Sequence, residues 1–292
     1  MFSVVIPLYN KKSSIKSTIE SVLAQSYSDF ELIVVDDGST DGSADVVKCF
    51  DDKRIRLISK KNGGVSSARN EGIKNAQSEY VSFLDADDIW DENYLENVSQ
   101  LIQDFPNAGI WGVNYGFETA DGRHIKLNDL PMDFRGYLPN PWHSGQVYWT
   151  SSSSSSKTAL NAIGGFDERL VYGEDIDVWF RLILEYGGAF YNKCLAYYRQ
   201  DAENRLMNKH IPLEKLYIFY FEKYKKYREE TPDFRHFIDQ ECMWWLFPYY
   251  AENPKDKDVQ RILKQIDLNE YKWSFRFRFK CPKVYNIIKK LL

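Results

Sequence analysis

The sequence predicts an α/β fold: a mostly parallel central sheet flanked by helices, followed by a C-terminal helical extension. Three observations carry this. β-branched runs alternate with helix-period runs over residues 1–90, two of those runs end in adjacent carboxylates, and beyond residue 206 the pattern turns helical with proline breaks. Alternating strand and helix is the signature of a parallel sheet with crossover helices.

Val4-Val5-Ile6-Pro7-Leu8 is the first strand, and Ile15, Ile19, Val22 and Leu23 share one face of the helix that follows. Leu32-Ile33-Val34-Val35 is the second strand and runs into Asp36-Asp37-Gly38-Ser39. Ser39 or Asp41 is placed to cap the next helix, whose apolar side holds Val46, Val47 and Phe50. Ile55 to Ile58 is a third strand. After the Asn62-Gly63-Gly64 turn, Val65, Ala68, Gly72, Ile73 and Ala76 line a third helix. Tyr80 to Leu84 is a fourth strand ending at Asp85-Ala86-Asp87-Asp88, and Asp91 can start the next helix.

Residues 108–160 are punctuated by Gly136, Pro139, Pro141 and Gly145, which predicts loops around short strands. The run Ser151 to Ser156 reads either as a flexible polar loop or as an extended strand. From Glu174 a helix is predicted with Ile176, Trp179, Ile183 and Tyr186 on one face, then a strand over Ala189 to Tyr198. Leu213, Leu216, Tyr220, Tyr224 and Tyr227 fit helical spacing, and Pro232, Pro248 and Pro254 mark helix breaks. The expected division is an α/β domain over 1–205 and a helical extension over 206–292.

Composition narrows the function. At 292 residues, 43% hydrophobic and 27% charged, the chain can bury a sizeable core and is neither disordered nor fibrous. The formal charge of −4 argues against a general nucleic-acid binder, whose footprint is basic. Cys49, Cys194, Cys242 and Cys281 are widely spaced, so neither a zinc site nor a disulfide framework is expected. The N-terminus lacks the basic and long apolar regions of a secretory signal, and apolar runs such as Leu216 to Phe221 are too short to span a membrane. A cytoplasmic protein is expected, with peripheral attachment to the inner face of the cell membrane as an option.

The acids carry the chemistry. Carboxyl ends of parallel strands share one sheet edge, where ligands bind, so residues 36, 37, 85, 87 and 88 converge on one cleft. Clustered carboxylates repel unless a cation lies between them, and these hard oxygen ligands suit Mg²⁺ or Mn²⁺ bridging to phosphate. The plainer alternative is that the acids cap helices. The Gly63-Gly64 turn with Ser66, Ser67 and Arg69 suits an anion, or is merely a helix start with a solvated arginine. No G-x-G-x-x-G or Walker A pattern occurs. Glu174 and Asp175 open a helix, where a carboxylate answers the dipole or, in Asp175, serves as a general base.

Taken in order, these motifs resemble the large inverting glycosyltransferase family 2 with the GT-A fold, of bacterial cell-surface glycan type. The matching residues, within about residues 2–200, are Pro7-Leu8-Tyr9-Asn10, Val34 to Asp41, Gly64 with Ala68-Arg69-Asn70 and Gly72, Phe83 to Asp88, and Gly164 to Glu168 running into Gly173 to Asp177. The resemblance implies that the backbone near Pro7, Leu8 and Tyr9, with Asp37 or Asp36, holds the base and ribose of a nucleotide-sugar, with uridine suited to a carboxylate that accepts its N–H. It places Gly64 and Arg69 by the diphosphate or ribose. Asp85-Ala86-Asp87 stands where the family has its Asp-x-Asp metal motif, so Asp87 and Asp85 are the expected Mg or Mn ligands. Asp88 would lie near donor sugar or metal, and Asp175, beside Glu174 in the donor site, stands at the catalytic base.

Two departures shape the expectation. Tyr197-Tyr198-Arg199 continues into Gln200-Asp201 with no histidine, which makes Arg199 the substitute phosphate contact, and no Gln-x-x-Arg-Trp segment occurs. Single addition rather than processive synthesis is expected, onto a glycan or lipid-linked acceptor.

Residues 271–292 hold seven basic side chains and no acid, so residues 1–270 hold 31 basic against 42 acidic side chains. Basic residues mixed with Trp273, Phe275, Phe277 and Phe279 suit an anionic membrane surface, or the acidic body of the same chain. Two other functions stay open: a haloacid-dehalogenase-type phosphatase, whose nucleophile loop Val35 to Ser39 partly resembles, and a nucleotide-sugar-binding module without turnover.

Overall fold

The structure, a computed structural model, describes residues 1–119, 121–139, 141–142, 148–199 and 211–282. The chain divides into two compact units, Met1–Lys209 and His210–Leu292.

The first unit begins with β1 (Phe2–Leu8), α1 (Ile15–Leu23), β2 (Phe30–Asp36), α2 (Ser43–Lys48), β3 (Ile55–Ser59), α3 (Val65–Asn75) and β4 (Tyr80–Phe83). It continues with β5 (Ile89–Trp90), α4 (Tyr94–Asp104), β6 (Ile110–Thr119), β7 (Gly122–Ile125), β8 (Arg135–Tyr137), β9 (Ser153–Ser156), α5 (Lys157–Ala162), α6 (Glu174–Tyr186) and β10 (Gly188–Arg199). The sheet runs β3-β2-β1-β4-β9-β6-β10-β5. β3, β2, β1 and β4 are parallel, as are β6 and β10, while β9 is antiparallel to both its neighbours, β4 and β6.

Parallel strands covered on both faces read as unbroken apolar runs, and β1 and β2 are buried at every position. Val4, Ile6, Leu8, Leu32 and Val34 pack with Ile15, Ile19 and Val22 of α1 on one face. Val5, Ile33, Val35, Val81 and Phe83 pack with Ala68, Ile73, Val178 and Trp179 on the other. At Gly72 an added Cβ would lie 2.3 Å from Cγ1 of Val5, so glycine lets α3 lie directly on β1.

The serine run is a buried strand. Ser151–Ser155 have no exposed surface, and β9 is hydrogen-bonded between β4 and β6. Burial of hydroxyls is tolerable where they find partners: Ser82 and Ser154 share a 2.6 Å hydrogen bond and Ser153 donates to the Trp149 carbonyl at 2.8 Å, while the Ser155 hydroxyl is buried without one. On α6 the buried face differs from the expected one. Glu174, Asp177, Val178, Trp179, Phe180 and Leu182 are buried, whereas Tyr186 is exposed.

The second unit holds short 3₁₀ turns over Leu213–Lys215 and Tyr217–Tyr224, then α7 (Lys225–Glu230), α8 (Pro232–Glu252), α9 (Lys257–Leu263) and α10 (Trp273–Lys280). The expected continuous helix through Leu213 to Tyr227 is broken at Tyr220, whose backbone is non-helical. Pro232 opens α8, where its missing N–H costs nothing. Pro248 lies inside α8 instead of ending it, a correction to the expected break. Buried Leu216, Tyr217, Phe221, Phe234, Ile238, Cys242 and Leu246 fill this unit's core, and Arg228 pairs with Asp239 at 2.8 Å. Of the basic segment 271–292, residues 283–292 lie outside the described residues.

Candidate active site

Both acid clusters sit where parallel strands end. The β1–β2 register closes at Leu8 opposite Asp36, and β4 lies along the other side of β1, so residues 36–37 and 85–88 flank the C-terminal end of β1. Pro7 and Leu8 are buried in that strand, and Tyr9 beyond it is exposed.

The first cluster is committed to the fold. Asp36 Oδ1 accepts from the Ser39 N–H at 3.0 Å. Asp37, 2% exposed, accepts from the Gly63 N–H at 2.9 Å, the Gly64 N–H at 2.8 Å and Lys60 Nζ at 2.8 Å. The carboxylate thereby pins the turn that opens α3, where Gly64 has φ of 90°. Of the two residues expected to cap the second helix, Asp41 accepts from the Ser43 N–H at 2.9 Å with Gly42 at the N-cap position, whereas Ser39 accepts from the Asn10 N–H at 3.0 Å.

The second cluster gathers residues from distant parts of the chain. Arg69, on α3 and 3% exposed, donates through Nη2 to Asp85 Oδ1 and through Nη1 to Glu174 Oε1, both at 2.8 Å. The guanidinium lies 5.3 Å from the Phe166 ring centroid, and its buried Nε has no hydrogen-bond partner. Despite burial, its acid neighbours Asp85, Glu174 and Asp175 hold it firmly charged. Burial, with the nearby Asp175 charge, pushes the Glu174 carboxyl up to about 7.

Within the loop after β4, the carbonyl of buried Ala86 accepts from Ser14 and Thr18 of the α1 end, at 3.0 and 3.1 Å. Asp87 Oδ2 meets Lys11 Nζ at 2.6 Å, and burial raises the Asp87 carboxyl although Lys11 opposes this. Asp88 is fully buried. It accepts from Ser151 Oγ at 2.6 Å and from the Arg199 N–H at 3.4 Å, and burial beside Asp87 and Asp85 raises it well above the carboxylate range. Arg199 itself donates to Ser17 Oγ at 3.0 Å and lies 3.7 Å from Glu118.

Asp175 is oriented by two donors: Thr150 Oγ1 to Oδ2 at 2.9 Å, and its neighbour Ile176 N–H to Oδ1 at 2.8 Å. Gly173, at φ of 73°, turns the chain into α6 so that Glu174 and Asp175 open the helix. Beside Asp175 stands an aromatic wall. Tyr115 and Trp149 have ring centroids 4.8 Å apart, Trp149 and Tyr198 5.5 Å. Burial, with the Asp175 charge, raises the Tyr115 phenol to about 12.

Sequence reasoning missed Lys11, Thr150, Ser151 and the aromatic wall. Lys11 directly follows the Pro7-to-Asn10 motif, its one available signal. Thr150 and Ser151 border a serine run whose composition hides its burial.

Among the described residues no group of three or more His, Cys, Asp or Glu side chains is arranged to hold a metal ion. Asp85 and Asp87 nevertheless fit the donor chemistry of Mg²⁺ or Mn²⁺ sites that take one or two carboxylates and complete the shell with substrate phosphates and water.

The family model described as glycosyl transferase family 2 matches residues 3–162. An uncharacterized glycosyltransferase of Rickettsia conorii is 36% identical over 191 residues, covering 62% of this chain and 31% of that protein. A second Rickettsia relative is covered to the same 31%, so the chain spans about a third of the length of these two relatives. The putative teichuronic acid biosynthesis glycosyltransferase TuaG of Bacillus subtilis is 28% identical over 271 residues, 88% of this chain and 97% of that protein. Among solved structures, S. aureus TarS 1–349 in complex with UDP-GlcNAc superposes with a TM-score of 0.62 at 22% identity, covering 72% of this chain and 61% of that one. That likeness shows the GT-A fold.

Proposed function

The chain belongs to glycosyltransferase family 2, and we propose that it moves one sugar from a UDP-linked donor to a hydroxyl of a cell-surface glycan or lipid-linked acceptor, with inversion at the anomeric carbon. The observation that carries this reading is the meeting of Asp85 and Glu174 on one buried arginine, Arg69. It brings the acid loop after β4, which carries the Asp-x-Asp pair, against the first turn of α6, which carries the candidate base. The UDP-GlcNAc bound by TarS and the teichuronic acid assignment of TuaG support the donor and acceptor classes.

In this reading the backbone at Pro7 to Tyr9, with Asp36 or Asp37, receives the base and ribose, and Gly64 lies toward the diphosphate. Asp88 and Glu174 border the donor sugar, and Arg199 reaches the phosphates. Arg69, paired with two carboxylates, acts mainly by fixing Asp85 and Glu174 and by adding positive charge beside the leaving group. Mg²⁺ or Mn²⁺ held by Asp87 and Asp85 would supply Lewis-acid stabilisation of the departing nucleoside diphosphate. Asp175, aimed by Thr150 and the α6 N-terminus, takes the proton of the attacking hydroxyl. Trp149 and Tyr115 offer the acceptor ring an apolar face next to that base.

Peripheral membrane contact belongs to the same proposal. No helix among the described residues is long and apolar enough to cross a membrane. In the second unit Trp244 and Trp273 are 52% and 67% exposed, and Arg278 lies 4.6 Å from the Trp244 ring, which suits an anionic lipid surface. The catalytic role is assigned to residues 1–205 and the helical extension to 206–292.

Calorimetry tests the donor and metal assignments. UDP should bind more tightly with Mn²⁺ than without, and Asp87→Ala should lose that increment; an increment that survives in the variant would overturn the metal assignment.

A further inference from the structure

Lys11 stands where the cation of this site would act. Its Nζ lies 2.6 Å from Asp87 Oδ2, with the two side chains 17% and 16% exposed. The contact is built into the loop after β1. Asn10 adopts a left-handed backbone, φ 51°, in a segment that is pinned throughout. The Asn10 N–H donates to Ser39 Oγ at 3.0 Å, the Thr40 N–H to Asn10 Oδ1 at 2.8 Å, and the Lys11 N–H to Ser43 Oγ at 2.9 Å. The Lys12 N–H donates to Asp41 Oδ2 at 3.0 Å. A backbone held this firmly presents the Lys11 side chain toward the acid loop by design of the fold.

We infer that Lys11 is the resident counter-ion of the metal position: it must leave Asp87 before a divalent cation can use that carboxylate, so the metal enters with the nucleotide diphosphate rather than ahead of it. The inference rests on the reading of Asp85 and Asp87 as the metal-holding pair. An ammonium on Asp87 competes with a divalent ion for the same oxygens and repels it across a poorly solvated gap. The other acids of the loop are also engaged: Asp85 Oδ1 by Arg69, and Asp88 by Ser151 and the Arg199 N–H. Arg69 and Lys11 together already offset much of the charge that would otherwise attract a metal. A diphosphate reverses this balance. It adds negative charge, gives Lys11 an alternative partner, and supplies the oxygens that two carboxylates leave missing from the metal shell.

The test is Mn²⁺ binding to the intact protein without nucleotide, followed by electron paramagnetic resonance of the free ion, for wild type, Lys11→Met and Lys11→Arg. The same titrations are then repeated with UDP. Lys11→Met keeps the apolar stem and should bind Mn²⁺ about tenfold tighter than wild type, an ordinary size for coupling between two sites. Lys11→Arg keeps the charge and should match wild type. Addition of UDP should tighten Mn²⁺ binding in wild type and do so much less in Lys11→Met. Lys11→Ala, a second route to the same loss of charge, should follow Lys11→Met. Equal or weaker Mn²⁺ binding in both neutral variants would overturn the inference while leaving the metal assignment standing. Failure of every protein to bind Mn²⁺, with UDP or without, would overturn both.

Discussion

The two acid clusters at the ends of β2 and β4 look alike in sequence and do different work. Asp37 spends its carboxylate on Lys60 and on the N–H groups of Gly63 and Gly64, so it shapes the wall of the cleft. In the loop after β4 the acids are held by partners that a ligand can compete with or exploit: Lys11 on Asp87, and Arg69 between Asp85 and Glu174. Adjacent carboxylates after a strand therefore look the same in sequence whether they brace the turn that borders a ligand or pair with side chains that a ligand can displace.

The sharpest way to break this comparison is to remove one acid from each cluster. Asp37→Ala removes a buried carboxylate that holds two N–H groups and a lysine, and should cost roughly 3 kcal/mol of unfolding free energy. Asp87→Ala relieves repulsion with Asp85 and Asp88 and leaves Lys11 a flexible stem by which to reach water, so it should cost about 1 kcal/mol or less. Urea denaturation measures both. Equal losses would mean that the clusters serve the same purpose.

A smaller effect sharpens the second cluster. With a folded pKa of about 7 against an ordinary 4.5, Glu174 keeps its proton in the native state over a range in which the unfolded chain has lost it. Its contribution thus falls as pH rises from 4.5 to 7, with a slope of at most about 1.4 kcal/mol per pH unit. Glu174→Gln should flatten the stability–pH curve in that window, read from urea midpoints. A curve of unchanged shape would mean that Arg69 already holds Glu174 ionised.

Much of the cleft was legible because β1, β2 and most of β4 are buried on both faces, where composition and position agree. The rest was hidden wherever a polar group is buried with a partner. The serine strand buries its hydroxyls, some of them paired as between Ser82 and Ser154 while that of Ser155 has no partner, so its polarity mimics a loop. The buried face of α6 includes Glu174 and Asp177 because Arg69 and Arg181 pair with them, which apolar periodicity cannot register. Pro248 sits within α8, where a proline marks a break only by tendency. The acids themselves were found in sequence, but their partners Lys11 and Thr150 were not: Lys11 is marked only by following the Pro7-to-Asn10 motif, and Thr150 opens a short 3₁₀ turn with no periodic signal.

In the proposed sugar transfer Asp175 is the base. The direct test is Asp175→Asn, with turnover read as UDP release from a UDP-sugar in the presence of cell-surface glycan acceptors, and donor affinity measured alongside. Turnover should fall by a factor of about 10² to 10⁴, the usual weight of general base catalysis, while donor affinity stays within about twofold. Unchanged turnover in that variant would contradict the account.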